Sequence, residues 1–317
     1  MNYVRLGKSG LEVSRICLGG NSWGAAGRRS WAPFDADASA PFFRRALDLG
    51  INFFDTADVY NVGASETILG EKLIGQVPRD DLVITTKFGQ SMSQIPNAAG
   101  LGRKHMMASI DASLRRLRTD HVDIYMVHRM DPVTPVEEVM SGLADIVQAG
   151  KARYLGASVM RPTQFARLQL FARANGLPAF IAMQNLWSLL YREDERDMVP
   201  FCREEGVGLT PYSPLARGVL AGPRATERAE KDVRAHPYRT EASLRIVGRV
   251  VAVAAARGVK PAQVALAWLM HQQGLAAPVV GTTRLDQLDD AAAAVTVSLA
   301  ADEIASLEAP YLPRAVM

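Results

Sequence analysis

In FFDTADVY, residues 53 to 60, a carboxylate at Asp55 and a phenol at Tyr60 lie five residues apart at the end of an apolar run. Lys87 closes the run LVITTK and His128 closes DIYMVH. These four residue types together suit carbonyl reduction. A hydride added to a carbonyl carbon leaves an alkoxide that needs a proton, and a phenol with a free pKa of about 10 is a donor once its surroundings adjust it. An ammonium at Lys87 favours the phenolate, Asp55 pairs with that ammonium and fixes its position, and His128 donates a hydrogen bond to the carbonyl oxygen or helps relay the proton. Taken singly, each residue has a plainer reading. Asp55 with Lys87 is a buried structural ion pair, His128 a hydrogen-bonded core histidine and Tyr60 a packed loop aromatic. Joint placement decides between the two readings, so the elements that carry these residues matter.

Tyr3 to Leu6 and Leu11 to Val13 flank GKSG and read as a hairpin over residues 3–13. Strands then alternate with helices. Arg15 to Leu18, Phe53 to Asp55, Leu82 to Lys87, Asp123 to His128, Ala152 to Ala157, Phe180 to Gln184, Gly208 to Tyr212 and Ala277 to Val280 make eight strands. Helical spacing is read at about 38–49, 65–74 and 106–117, then at 162–175, 195–205, 241–257, 261–273 and from Leu285. A further helix is expected to open on a capping box of Thr134 and Glu137, with Pro135 in its first position and an apolar face through Val136, Val139, Met140 and Leu143 up to Gly150. Eight strands alternating with helices point to one α/β domain over residues 1–317, a (β/α)8 TIM barrel with an N-terminal β-hairpin. A doubly wound sheet is the rival, but no G-x-G-x-x-G follows any strand. In a barrel, Asp55, Lys87 and His128 end neighbouring strands and Tyr60 follows the first of them, so all four face one pocket. Residues 213–238 form the longest connection without a period, a candidate cover over a ligand.

Thirty-six Lys and Arg against 33 Asp and Glu give a net charge of +3 without a basic stripe, which disfavours nucleic acid as a partner. Cys17 and Cys202 stand far apart, so neither a disulfide framework nor a metal site is expected. The N-terminus has no signal-peptide core, and no apolar run approaches the roughly 18 residues of a membrane span. A soluble cytoplasmic protein is expected.

Over essentially its full length the chain resembles the aldo-keto reductases. The resemblance is carried, in the family's order, by GINFFDTADVYNVGASETILG, VITTKFG, DIYMVHRMD, GKARYLGAS, MQN and PYSPLARGVLAG. LGKSGLEVSRICLGG and HRMDPVTPVEEVMSGLADIVQAGKARYLGAS are similar to the branch of aryl-alcohol dehydrogenase-like reductases. The resemblance implies an NADP-dependent oxidoreductase, an aldehyde reductase acting on aromatic or small aldehydes, with Tyr60 as proton donor and Asp55, Lys87 and His128 completing the tetrad. It also implies cofactor contacts at Gly20, at Ser158 and Gln184 for the nicotinamide carboxamide, and at Tyr212 stacked on the ring. Ser213, Leu215 and Arg217 correspond to the pyrophosphate loop, and Gly281, Thr283, Arg284, Gln287 and Asp290 to the adenosine phosphate end. Arg284 suits a 2′-phosphate, hence NADPH over NADH. For substrate, Asn21, Trp23, Trp31, Phe88 and Arg129 lie in or beside loops expected to face the pocket, where aromatic walls favour flat molecules.

Two departures stand out. Val159 follows Ser158 where the family commonly has Asn, and Ala291 follows Asp290 where Asn after Glu is common. Trp187 and Ser188 replace a common Tyr and Asn and receive no role. Two other functions keep the same barrel: a lyase using Lys87 as a Schiff-base nucleophile, disfavoured by the adjacent acid Asp55, and a cofactor-sensing binding module resembling potassium-channel β subunits. Oligomeric state is left open.

Overall fold

Side-chain alternation along each strand decides what enters the barrel. The computed structural model describes residues 1–24, 35–222 and 233–315. Its N-terminal hairpin pairs β1 (Tyr3–Arg5) with β2 (Glu12–Ser14) antiparallel. Eight parallel strands follow: β3 (Cys17–Gly19), β4 (Phe53–Asp55), β5 (Val83–Phe88), β6 (Val122–Val127), β7 (Ala152–Ser158), β8 (Phe180–Gln184), β9 (Gly208–Leu209) and β10 (Val279–Val280). They lie in the order β10-β3-β4-β5-β6-β7-β8-β9. Parallel bridges Leu209 to Leu275 and Tyr212 to Val279 join the two outer strands. The result is a (β/α)8 barrel with an N-terminal hairpin.

Cys17, Phe53, Val83, Ile124, Met126 and Ala182 pack into one buried cluster, together with Leu6 and Val13 of the hairpin. Their sequence neighbours Leu18, Phe54, Ile84, Tyr125 and Met183 belong instead to the larger cluster between strands and helices. A residue two positions beyond an inward one also points inward. Asp55 therefore follows Phe53 into the barrel, as Lys87 follows Val83 and His128 follows Met126. The hairpin docks on the barrel through Gly7. Lys8 donates its amide to the Gly206 carbonyl at 2.8 Å. Gly7 has φ +61, and a Cβ there would meet the Gly206 oxygen at 2.2 Å, so both the backbone angle and the close approach require glycine.

The helices relevant to the site are α1 (Ala36–Asp48), α2 (Ala64–Lys72), α3 (Arg103–Leu117), α4 (Val136–Gln148), α5 (Pro162–Ala174), α6 (Met198–Glu205), α7 (Glu241–Arg257), α8 (Pro261–His271), α9 (Leu285–Ala293) and α10 (Ala301–Glu308). Three expectations need correction. The capping box at Thr134 does not form: the helix is capped by Pro135 without a side-chain bond. Thr134 lies one residue outside the cap, and its Oγ1 donates to Asp131 Oδ2 at 2.6 Å, a carboxylate that also accepts from the amides of Val133 and Leu101. The helix expected over 195–205 is split at Asp197, φ −145, into a 3-10 turn Glu193–Arg196 and α6. The strand expected over 208–212 pairs regularly only at Gly208–Leu209, with Tyr212 held by isolated bridges. Among the described residues no single helix is long and apolar enough to cross a membrane.

Candidate active site

Asp55 ends β4, and the main chain then turns across the top of the barrel. The Thr56 amide donates to the Thr85 carbonyl at 2.8 Å and the Asp58 amide to the Lys87 carbonyl at 3.0 Å, which stitch the loop to β5. Tyr60 is brought over Lys87 by this path. Lys87 has no solvent exposure. Its ammonium donates to Asp55 Oδ2 at 2.6 Å, the Thr56 carbonyl at 2.9 Å and Tyr60 Oη at 3.3 Å, so all three protons have acceptors. Burial pulls its pKa down, but the Asp55 carboxylate and the Tyr60 phenol beside it prevail and hold it above the usual lysine value. The ammonium form is thus the resident one.

His128 follows β6, and its amide donates to the Phe88 carbonyl at 2.9 Å. Its ring meets the Tyr60 ring edge to face, centroids 5.8 Å apart. Asp55 has a second partner: Gln184 Nε2 donates to its other oxygen, Oδ1, at 2.8 Å. Ser158 Oγ in turn donates to the Gln184 carbonyl at 2.9 Å. The four residues that the sequence marks for chemistry are therefore one contiguous group, and Gln184 joins it.

Tyr60 and His128 line a cleft of about 1240 Å³. Ser158, Gln184 and Tyr212 line the same cleft, as do Ser213, Leu215 and Arg217 and the segment residues Gly281, Thr283, Arg284, Gln287 and Asp290. Tyr212 is half-buried, and burial pushes its phenol well above the ordinary range, so it stays neutral. Ser213, Ala216 and Arg217 all have left-handed backbone, φ 52, 46 and 59. Such conformations in non-glycine residues are strained and concentrate in ligand-holding loops. Two of the lining cations, Arg284 and Lys260, each hold an acid. Arg284 chelates Asp286 at 2.9 and 2.7 Å, and Lys260 Nζ bonds Asp290 at 2.8 Å. Gln287 Oε1 accepts from the Thr283 amide at 2.9 Å.

A cleft of this volume, lined by an aromatic ring, a strained loop and several cations, has room for a dinucleotide. Ser158, Gln184 and Tyr212 would hold the nicotinamide, the 213–217 loop the pyrophosphate, and Thr283, Arg284 and Lys260 the adenosine end.

Several expected site residues lie elsewhere. Gly20 sits behind the wall, where its carbonyl accepts from Ser65 Oγ at 2.8 Å; a Cβ would meet that same hydroxyl, so its role is close packing, and Gly19 lines the cleft instead. Trp23 is buried against Phe43, ring centroids 4.4 Å apart. Phe88 is buried and stacked on Tyr125 at 4.7 Å, among the residues facing the helices. Neither is among the residues that line the cleft. Trp31 lies outside the described residues. Asn21 and Arg129 do line the cleft, with Asn61 and Gln90, which sequence reading missed: the first stands inside GINFFDTADVYNVGASETILG and the second just after VITTKFG, but neither residue type signalled a role by itself. Lys260 was missed for the same reason, as a single lysine at a helix start.

The model of the aldo/keto reductase family matches residues 15–311. Versiconal hemiacetal acetate reductase of Aspergillus parasiticus is 40% identical over an alignment that covers 100% of this chain and 98% of that protein. A candidate aryl-alcohol dehydrogenase of Schizosaccharomyces pombe is 38% identical, with 98% of this chain and 96% of that protein covered. The aldo-keto reductase dtxS3 of Metarhizium robertsii is 38% identical, with 100% and 92% covered. With the barrel, the four clustered ionisable residues and these matches over its whole length, the chain belongs to the aldo/keto reductase family, oxidoreductases that act on carbonyl groups and generally use NAD(P)H.

Proposed function

We propose that this protein reduces aldehydes or ketones to alcohols with NADPH, and that Tyr60 is the proton donor. The observation that carries this reading is the set of three bonds made by Lys87: to Asp55, to the Thr56 carbonyl and to Tyr60. The bound nicotinamide supplies the hydride. The protein's part is to place the carbonyl oxygen and provide its proton. Because Lys87 donates to Tyr60 Oη, the phenol oxygen accepts there, and proton donation by the phenol needs an acceptor other than that ammonium. The acceptor we assign is the substrate oxygen. The ammonium stabilises the phenolate that remains, and Asp55, gripped on both oxygens by Lys87 and Gln184, keeps the ammonium in place. His128, edge-on to Tyr60, shares the substrate oxygen as a hydrogen-bond donor.

The preference for NADPH rests on Arg284 and Lys260, which can exchange their carboxylate partners for a 2′-phosphate. Two relatives carry names that refer to versiconal hemiacetal acetate and to aryl alcohols, which supports trying aromatic carbonyl compounds first. The lyase reading needs a neutral, accessible amine. A fully buried ammonium paired with Asp55 opposes it.

The test follows loss of NADPH absorbance with a panel of aromatic and small aliphatic aldehydes and ketones. Turnover with several members is expected. Folded protein that binds NADPH yet reduces none of them would sink this reading.

A further inference from the structure

Behind the catalytic wall the fold buries more negative charge than it neutralises. Asp58, two residues before Tyr60, is 1% exposed, and Glu66 on α2 is fully buried. Arg116 Nε donates to Glu66 Oε2 at 2.6 Å, and Thr86 Oγ1 donates to Oε1 at 2.5 Å, so Glu66 has both oxygens engaged. Asp58 differs. Among the described residues no side chain donates to either of its oxygens, and the Val59 amide offsets only part of its burial. Each element packed around it contributes a group: Glu66 from α2, Arg116 from α3, Lys87 from β5 and the buried phenol of Tyr125 from β6. With the Lys87 ammonium committed to Asp55, two carboxylates and one guanidinium remain, and they are costly to bury unless one acid keeps its proton. Glu66 has donors suited to a carboxylate. Asp58 lacks them.

The pocket touches the active site in two ways. The Asp58 amide is bonded to the Lys87 carbonyl at 3.0 Å, and the Lys87 ammonium is one of the charges that act on the Asp58 carboxyl. We propose that Asp58 is a positioning residue that holds a proton in the resting enzyme, and that its ionisation reinforces the Lys87 ammonium and keeps the Tyr60 phenol protonated. The catalytic meaning of this inference rests on the carbonyl-reduction reading, whereas the titration itself does not.

Burial first, then the like charge of Glu66, push the Asp58 carboxyl up to about 7. As pH rises through that value, a negative charge appears beside Lys87 and makes a second one on Tyr60 less favourable. Tyr60 therefore retains its proton to higher pH than its contact with an ammonium alone would allow, which favours reduction over alcohol oxidation. The linkage sign follows. An acid whose folded value exceeds its unfolded value of about 3.9 costs stability as pH climbs from there through the folded value, so this group's cost builds up between about pH 4 and 7 and is constant above.

Two spectroscopic readings on the full chain test this without any substrate. Infrared difference spectra across roughly pH 5 to 9 should show a protonated-carboxyl band that disappears near neutrality in the wild type and is missing in Asp58→Asn. Tyrosinate absorbance, taken as the difference from Tyr60→Phe in each background, should show Tyr60 ionising at lower pH when Asp58 is Asn. A missing acid band, or a Tyr60 titration that Asp58→Asn leaves in place, overturns the proposal. Should Asp58→Asn not fold, Glu66→Gln replaces it. Removing the like charge must then move loss of the acid band to lower pH, and an unmoved band overturns the proposal equally. Absence of turnover in the wild type would count against the reductase reading alone and leave these two spectra to decide Asp58.

Discussion

Gln184 Nε2 bonds Asp55 Oδ1 at 2.8 Å while Lys87 Nζ bonds Oδ2 at 2.6 Å, so one carboxylate ties the residue proposed to hold the nicotinamide to the residue proposed to tune the acid. Truncating Gln184 leaves a buried charged oxygen without its donor, a loss of about 1–3 kcal/mol. Gln184→Leu is expected to lower stability by that order and to weaken both cofactor binding and turnover. Chemical unfolding and a cofactor fluorescence titration measure the two effects. An unchanged cofactor Kd would remove Gln184 from the cofactor site.

Lys87→Met deletes one half of a fully buried ion pair and strands Asp55. Breaking such a pair from one side costs about 3–5 kcal/mol. Turnover should also fall by roughly 10²–10⁴, the usual contribution of positioned acid–base groups. In the double variant Asp55→Asn with Lys87→Met, most of the stability should return and the activity should not. Equal damage to stability in single and double variants would mean that the pair is not what holds this region.

Val159 lines the cleft next to Ser158 with φ 44, a left-handed angle that a β-branched residue adopts only under strain. Asn tolerates that conformation and is the residue that the family commonly places there. Val159→Asn is expected to raise stability by about 1 kcal/mol, at the low end for relief of such strain. It should also tighten cofactor binding by adding an amide beside the carboxamide. A thermal shift of the apo protein and a cofactor titration separate the two gains.

Arg284 and Lys260, which line the cleft, are each paired with an acid. Their exposed pairs hold little energy of their own and can rearrange around a phosphate. Arg284→Ala and Lys260→Ala should each weaken NADPH binding about tenfold, the order of one charge-assisted hydrogen bond, with NADH binding nearly unchanged. Equal losses for both cofactors would show that the two cations do not read the 2′-phosphate.

How far the sequence carries depends on what each residue answers to. Period two within LVITTKF and DIYMVH, joined to the strand count, suffices to send Asp55, Lys87 and His128 into one pocket. The same rule speaks against Phe88 as a pocket residue, because it adjoins the inward Lys87 and must point the other way. Its aromatic character hid that. Trp23 was likewise assigned by residue type when its packing on Phe43 depends on a helix remote in sequence. Thr134 had a suitable capping pattern, but the helix starts one residue later and its hydroxyl donates to Asp131, which is also held by the Leu101 amide of another loop. The bond between Gln184 and Asp55 spans 129 residues and has no local signature at all. Short-range periodicity was legible; contacts chosen by competition among distant partners were not.

The most direct test of the account compares wild type with Tyr60→Phe under saturating NADPH and a turned-over aldehyde, after cofactor binding has been measured for both. The predicted result is an unchanged NADPH Kd with turnover reduced by about 10²–10⁴, because the acid is gone while the cleft is intact. Turnover preserved in Tyr60→Phe would contradict the account and assign proton donation to another group in the cleft.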